Sequence, residues 1–171
     1  MKEIIVLSGV PGAGKSYLSQ QIVKKYSGDT VIINNDCLRQ MLSGHTEANV
    51  KETYSLDFAG KLTEWINYVK EMTLINLIAR EDISRIVVDA CHFEPQNLLL
   101  FEAFSSAKKA KVTYVLLDTE PAEALKNAQS RVRIEDEETI SFINKKLKTM
   151  NYSYDFVLRN REEVAKFLEN I

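Results

Sequence analysis

At 171 residues the chain has the length of one domain with a core of its own. Its 45% hydrophobic share, 27% charged share and net charge of −2 exclude a disordered chain and a uniformly basic nucleic-acid coat, while leaving room for a local basic groove. No apolar run spans a membrane, the N-terminus lacks a signal-peptide pattern, and Cys37 and Cys91 form no C-x-x-C pair or zinc-type spacing, so both read as free, buried thiols in a reducing, cytoplasmic setting.

The apolar run Ile4-Ile5-Val6-Leu7 predicts a buried strand. Gly9-Val10-Pro11-Gly12-Ala13-Gly14-Lys15-Ser16 follows and fits G-x-x-x-x-G-K-[ST], the Walker A pattern. A helix then carries Leu18, Ile22 and Tyr26 on one face. Thr30 to Asn34 reads as a second strand, and Cys37 to Leu42 as a short helix capped by Asp36 and broken by Gly44. Residues Glu47 to Arg80 read as mostly helical, with a break at Gly60. Leu62, Trp65, Ile66, Val69, Met72 and Leu77 form an apolar stripe there, which places Trp65 in the core. Arg85 to Asp89 is a third strand, Leu98 to Ala107 a helix and Lys111 to Leu117 a fourth strand. A helix runs from Pro121 toward Ser130, another from Thr139 to Met150, a last strand covers Tyr154 to Leu158, and a helix from Glu162 closes the chain.

Strands alternating with helices predict a three-layer α/β domain over residues 1–171, with a parallel sheet. In such sheets ligands bind at the carboxyl ends of the strands. Gly9 to Ser16, Asn35 to Arg39 and Asp89 to Phe93 should therefore share one rim.

Each rim segment has its own chemistry. Gly9, Pro11, Gly12, Ala13, Gly14, Lys15, Ser16 and Tyr17 should cradle the phosphates of a nucleotide on main-chain amides. Lys15 would reach the β- and γ-phosphates, and the Ser16 hydroxyl would ligate magnesium. Asp89 ends an apolar strand as a Walker B aspartate does, holding the magnesium shell; the plain alternative is a turn or capping carboxylate. Asp36 and Arg39 lie three residues apart on one helix face. They read equally as a base with an anion-binding arginine, or as an N-cap with a surface partner. Arg131 and Arg133 are the candidates for a mobile cationic lid over the transferring group, against the alternative of a solvated surface. His92 reads first as a turn histidine and second as a substrate contact, and His45 as exposed. The lysines at 108, 109 and 111, and at 145, 146 and 148, read as solvated faces that could border a groove.

These segments resemble the kinase domain of phage-type polynucleotide 5′-hydroxyl kinases. The likeness lies in Gly9 to Ser16, in Ile33-Asn34-Asn35-Asp36-Cys37-Leu38-Arg39-Gln40 with its D-x-x-R, and in Val87 to Pro95. It reaches Asn127 to Arg133 more loosely, and covers roughly the first 150 residues in outline. The resemblance implies Asp36 as general base for a 5′-hydroxyl, Arg39 on an acceptor phosphate, Asp89 as the family's aspartate, and Arg131 as lid arginine with Arg133 second. Cys91 and Phe93 stand where asparagines are expected, and the lid is poor in basic residues. The segment Tyr154 to Asn160 is similar to the last strand of nucleoside and nucleotide kinases, which implies a five-stranded sheet of order 2-3-1-4-5.

The expected function is ATP- and Mg2+-dependent transfer of the γ-phosphoryl group to a hydroxyl, foremost the 5′-hydroxyl of DNA or RNA. A kinase of a small metabolite, nucleoside or antibiotic is the first alternative, and a non-catalytic ATP-binding module the second. A common GTPase is disfavoured because Asn144-Lys145 continues with Lys146-Leu147 and makes no N-K-x-D.

Overall fold

The computed structural model describes residues 1–44, 60–107, 109–129 and 137–171. Five parallel strands form one sheet in the order β2-β3-β1-β4-β5, as the resemblance implied. They are β1 (Lys2–Ser8), β2 (Thr30–Asn34), β3 (Arg85–Asp89), β4 (Ala110–Leu117) and β5 (Phe156–Leu158). The helices are α1 (Lys15–Lys25), α2 (Asn35–Ser43), α3 (Lys61–Ala79), α4 (Leu99–Ser106), α5 (Pro121–Gln129), α6 (Glu137–Thr149) and α7 (Arg161–Asn170). None of the described helices is long and apolar enough to cross a membrane.

Alternation along β1 divides the core. Ile5 and Leu7 join Val87, Val115 and Leu117 beneath α1, α5, α6 and α7, through Leu18, Ala124, Ile140, Ile143 and Phe167. Ile4 and Val6 join Ile86 and Val88 on the other face, beneath Leu74 of α3 and Phe101 and Phe104 of α4. Both faces of the central strands are covered, which is why their sequences are continuous apolar runs. Phe101 is fully buried, and a side chain of that size contributes about 1.5–3 kcal/mol by leaving water.

Several expectations change. The cap of α2 is Asn34, whose Oδ1 accepts from the backbone N–H groups of Asp36 and Cys37, both at 2.9 Å. Asp36 instead lies in the first turn, where a carboxylate suits the helix dipole. Gly44 does end α2, at φ 72°. Trp65 is 52% exposed rather than in the core. The buried face of α3 is Leu62, Ile66, Lys70 and Leu74, a four-residue repeat that the apolar count missed because one member is a lysine. Cys37 is exposed and Cys91 half-buried, and neither forms a disulfide. β5 is shorter than expected because the Asp155 carboxylate, rather than a strand carbonyl, accepts from the Tyr114 N–H at 2.7 Å. His45 and Lys108 lie outside the described residues, as do Arg131 and Arg133.

Candidate active site

Register places the rim. Asn34 of β2 pairs with Asp89 of β3, and Asp89 pairs with Leu7 of β1, so three strands end level. The phosphate loop, α2 and the segment after Asp89 all leave from that row.

The loop is held by its neighbours. A Cβ on Gly12 would lie 2.0 Å from the Ala124 carbonyl oxygen of α5, and one on Gly9 would lie 2.7 Å from that of Leu117. Both positions also have positive φ, so only glycine lets α5 and β4 approach this closely. The Thr119 hydroxyl donates to the Ala13 carbonyl at 3.1 Å, and Asn127 Nδ2 to that of Gly12 at 3.2 Å. Motif reading gives these two positions no role, because each lies over a hundred residues from the loop that it holds.

Behind the loop, Gly14 precedes α1 in the left-handed region and no side chain caps the helix. The first-turn amides of α1 thus have no intrahelical or capping partner and form a site suited to anions. Lys15 is 8% exposed and folds back, donating to the carbonyls of Gly9 at 2.9 Å and Val10 at 2.8 Å. Ser16 follows it into the helix, and Tyr17 is exposed.

Asp89 is buried, and its Oδ2 accepts from Asn34 Nδ2 at 2.8 Å. One amide therefore caps α2 with its oxygen and orients Asp89 with its nitrogen. The sequence signal was an asparagine three residues before Cys37, at the junction of strand and helix. Asp36 is half-buried in the first turn of α2, next to that amide. Arg39 is 8% exposed and donates from Nη2 to Thr63 Oγ1 of α3 at 3.2 Å, which removes the reading of Arg39 as a surface residue.

His92 is no ordinary turn residue. It is 3% exposed, has φ 45°, and bonds through Nδ1 to the Leu7 carbonyl at 2.8 Å. Its ring meets Phe101 edge-on at 5.6 Å. Burial pushes its pKa down to about 3; the charge of Lys70 and then that of Lys15 act the same way, and the bond to Leu7 opposes them. Lys70 is 5% exposed, bonds to Asn67 Oδ1 at 3.2 Å, and has its pKa lowered by burial.

No group of three or more His, Cys, Asp or Glu gathers into a metal cage among the described residues. A magnesium site built from one hydroxyl, one carboxylate and substrate phosphates needs no such cage. Ser16 and Asp89 fit that donor set. A cavity lined by Met1, Lys2, Glu81, Ile83, Ser84 and Lys109 lies at the opposite, amino ends of β1 and β3, away from this chemistry.

The class of the protein follows from this sheet order and loop. A family described as an AAA domain matches residues 4–157, and the chain belongs to that family. No curated protein matches it. Among solved structures, a chain of the Pnkp1/Rnl/Hen1 RNA repair complex is 17% identical with a TM-score of 0.66, over 90% of this chain and 47% of that one. The chain thus spans about half of that relative's length. Shikimate kinase from Bacteroides thetaiotaomicron is 14% identical with a TM-score of 0.60, over 99% of this chain and 95% of that one. The Mycobacterium tuberculosis APS kinase CysC, in complex with AMPPNP and APS, is 13% identical with a TM-score of 0.59, over 99% and 94%. The fold is that of P-loop kinases.

Proposed function

We propose that the protein is an ATP-dependent kinase whose acceptor is the 5′-hydroxyl of DNA or RNA. One observation carries the reading: the phosphate loop after β1 and the Asp36–Arg39 stretch of α2 after β2 leave the carboxyl ends of the two strands that flank β3, on either side of its Asp89. Donor and acceptor segments then face each other across one strand end.

In this reading ATP lies on the loop amides, and Lys15 turns from the Gly9 and Val10 carbonyls to the phosphates. Asp36 takes the proton of the attacking hydroxyl, and Arg39 holds an acceptor phosphate. Magnesium, held by Ser16 and Asp89, would neutralise charge between the β- and γ-phosphates. The cation over the transferring group falls to Arg131, with Arg133 second. Transfer is in line, and positioning supplies most of the rate.

Labelled ATP with 5′-hydroxyl oligonucleotides tests the acceptor; no transfer at any length or salt concentration removes it. Asp36→Asn is expected to retain ATP binding and lose about a hundredfold or more in turnover. Wild-type turnover in that variant would remove Asp36 as the base.

A small metabolite, nucleoside or antibiotic as acceptor is the second reading, favoured by the net charge of −2. Salt separates the two: acceptor affinity falls steeply with salt for a polynucleotide and little for a small molecule.

A further inference from the structure

Helix α3 is apolar on two opposite sides. Its inner side, Leu62, Ile66 and Leu74 with Lys70 among them, is buried. On its outer side Trp65, Tyr68, Met72 and Ile75 are each more than two-fifths exposed. Ala79, also exposed, continues that row, so its steps are three, four, three and four residues. A helix that is apolar all round belongs in an interior, and this one has an interior on one side only. At about 150–250 Å² for an aromatic side chain, the four large residues leave roughly 400 Å² of apolar surface open, a patch of the size that marks an interaction site.

The spacing and the flanking charges say what fits there. Alternating steps of three and four are the a and d positions of a heptad, in which one helix lies along another. Trp65, Met72 and Ala79 take a, and Tyr68 and Ile75 take d; Glu64 and Glu71 then form the g edge, and Val69 and Asn76 the e edge. The row is complementary to itself. Two copies of α3 running parallel set each a or d residue beside its own counterpart, and each g residue beside the next e residue of the other chain. Glu64 then meets Val69 of the partner subunit, and Glu71 meets Asn76 of the partner subunit, so no like charges face each other. An antiparallel pair would bring the two Glu71 edges together, and a phosphate backbone would meet both carboxylates. Doubled across a two-fold axis and with its flanks added, the patch comes to about 1,000 Å², the lower bound for a specific interface and the size of a weak, exchanging dimer.

We infer that the outer face of α3 is a homodimer interface, in which two copies of the chain pair in parallel through Trp65, Tyr68, Met72 and Ile75. The inference does not depend on which acceptor the enzyme uses.

Sedimentation equilibrium of the whole chain over about 1–300 µM tests it. Wild type is expected to pass from monomer to dimer mass with a Kd of about 1–100 µM. Met72→Lys sets two ammonium groups against each other in the middle of the row; it should stay monomeric throughout and melt at the wild-type temperature in dilute solution. Tyr68→Glu gives the comparison if Met72→Lys fails to fold. Asn76→Lys places a cation against Glu71 of the partner subunit and should tighten the dimer severalfold, a gain that high salt removes. A wild type that is monomeric at every concentration overturns the inference, and a foreign helix as the natural occupant of the row would give that result. A dimer that survives Met72→Lys overturns it by placing the interface elsewhere. A dimer that Met72→Lys abolishes but Asn76→Lys leaves unchanged overturns the parallel register.

Discussion

Asn34 joins the start of α2 to the end of β3, and substituting it tests that joint directly. Asn34→Ala removes the cap from two amides, a loss of about 1 kcal/mol. It also removes a hydrogen bond to the buried Asp89 carboxylate, worth about 1.5–3 kcal/mol. Together these give a destabilisation of about 3 kcal/mol, or roughly 6–12 °C in Tm for a domain of this size. Asn34→Asp isolates the second interaction, because aspartate still caps but faces Asp89 with a second carboxylate. Two carboxylates that close share a proton, and their coupled pKa rises in the folded state. The unfolded chain releases that proton at the ordinary carboxylate pH. Relative to wild type, the variant's stability is therefore kept at low pH and lost as pH rises through the raised value. Thermal unfolding of all three proteins at about pH 5 and pH 8 measures this, with the Asn34→Asp deficit growing by about 1 kcal/mol or more at the higher pH. A deficit equal at both pH values, or an Asn34→Ala variant as stable as wild type, would refute the joint.

Gly12→Ala should abolish nucleotide binding and destabilise the fold by about 3 kcal/mol or more, because its Cβ meets the Ala124 carbonyl and its φ is 81°; calorimetry with ATP and a thermal melt check both. Asn127→Ala should cost about 1 kcal/mol of stability and weaken ATP binding severalfold by releasing the Gly12 carbonyl, and an unchanged ATP affinity would show that the loop holds its shape without α5. The folded pKa of His92, about 3, lies below its ordinary 6.5, so between those values only the unfolded chain takes up the proton. Stability should fall as pH drops through that window by about 1.4 kcal/mol per pH unit beyond the slope of His92→Asn, and matching slopes would contradict the buried neutral ring.

Much of the site was legible in one dimension because its parts are local. The strand, glycine loop and helix of residues 4–25 form a contiguous unit whose spacing is its geometry. The alternation of strands and helices gave the layers, and the rule about carboxyl ends brought residues 9, 36 and 89 to one rim. Other features depended on contacts distant in the chain. Trp65 and Lys70 have the same helical propensity context, and only the packing of α3 against the sheet decided that the lysine is inside and the tryptophan outside. Asp36 looked like the cap until the turn of the chain gave that place to Asn34. The bonds of Thr119 and Asn127 to the loop and the burial of Arg39 and His92 likewise come from the fold. Periodicity and motif spacing fix what neighbours in sequence do together, whereas burial and hydrogen-bond partnership are set by whatever the folded chain brings alongside.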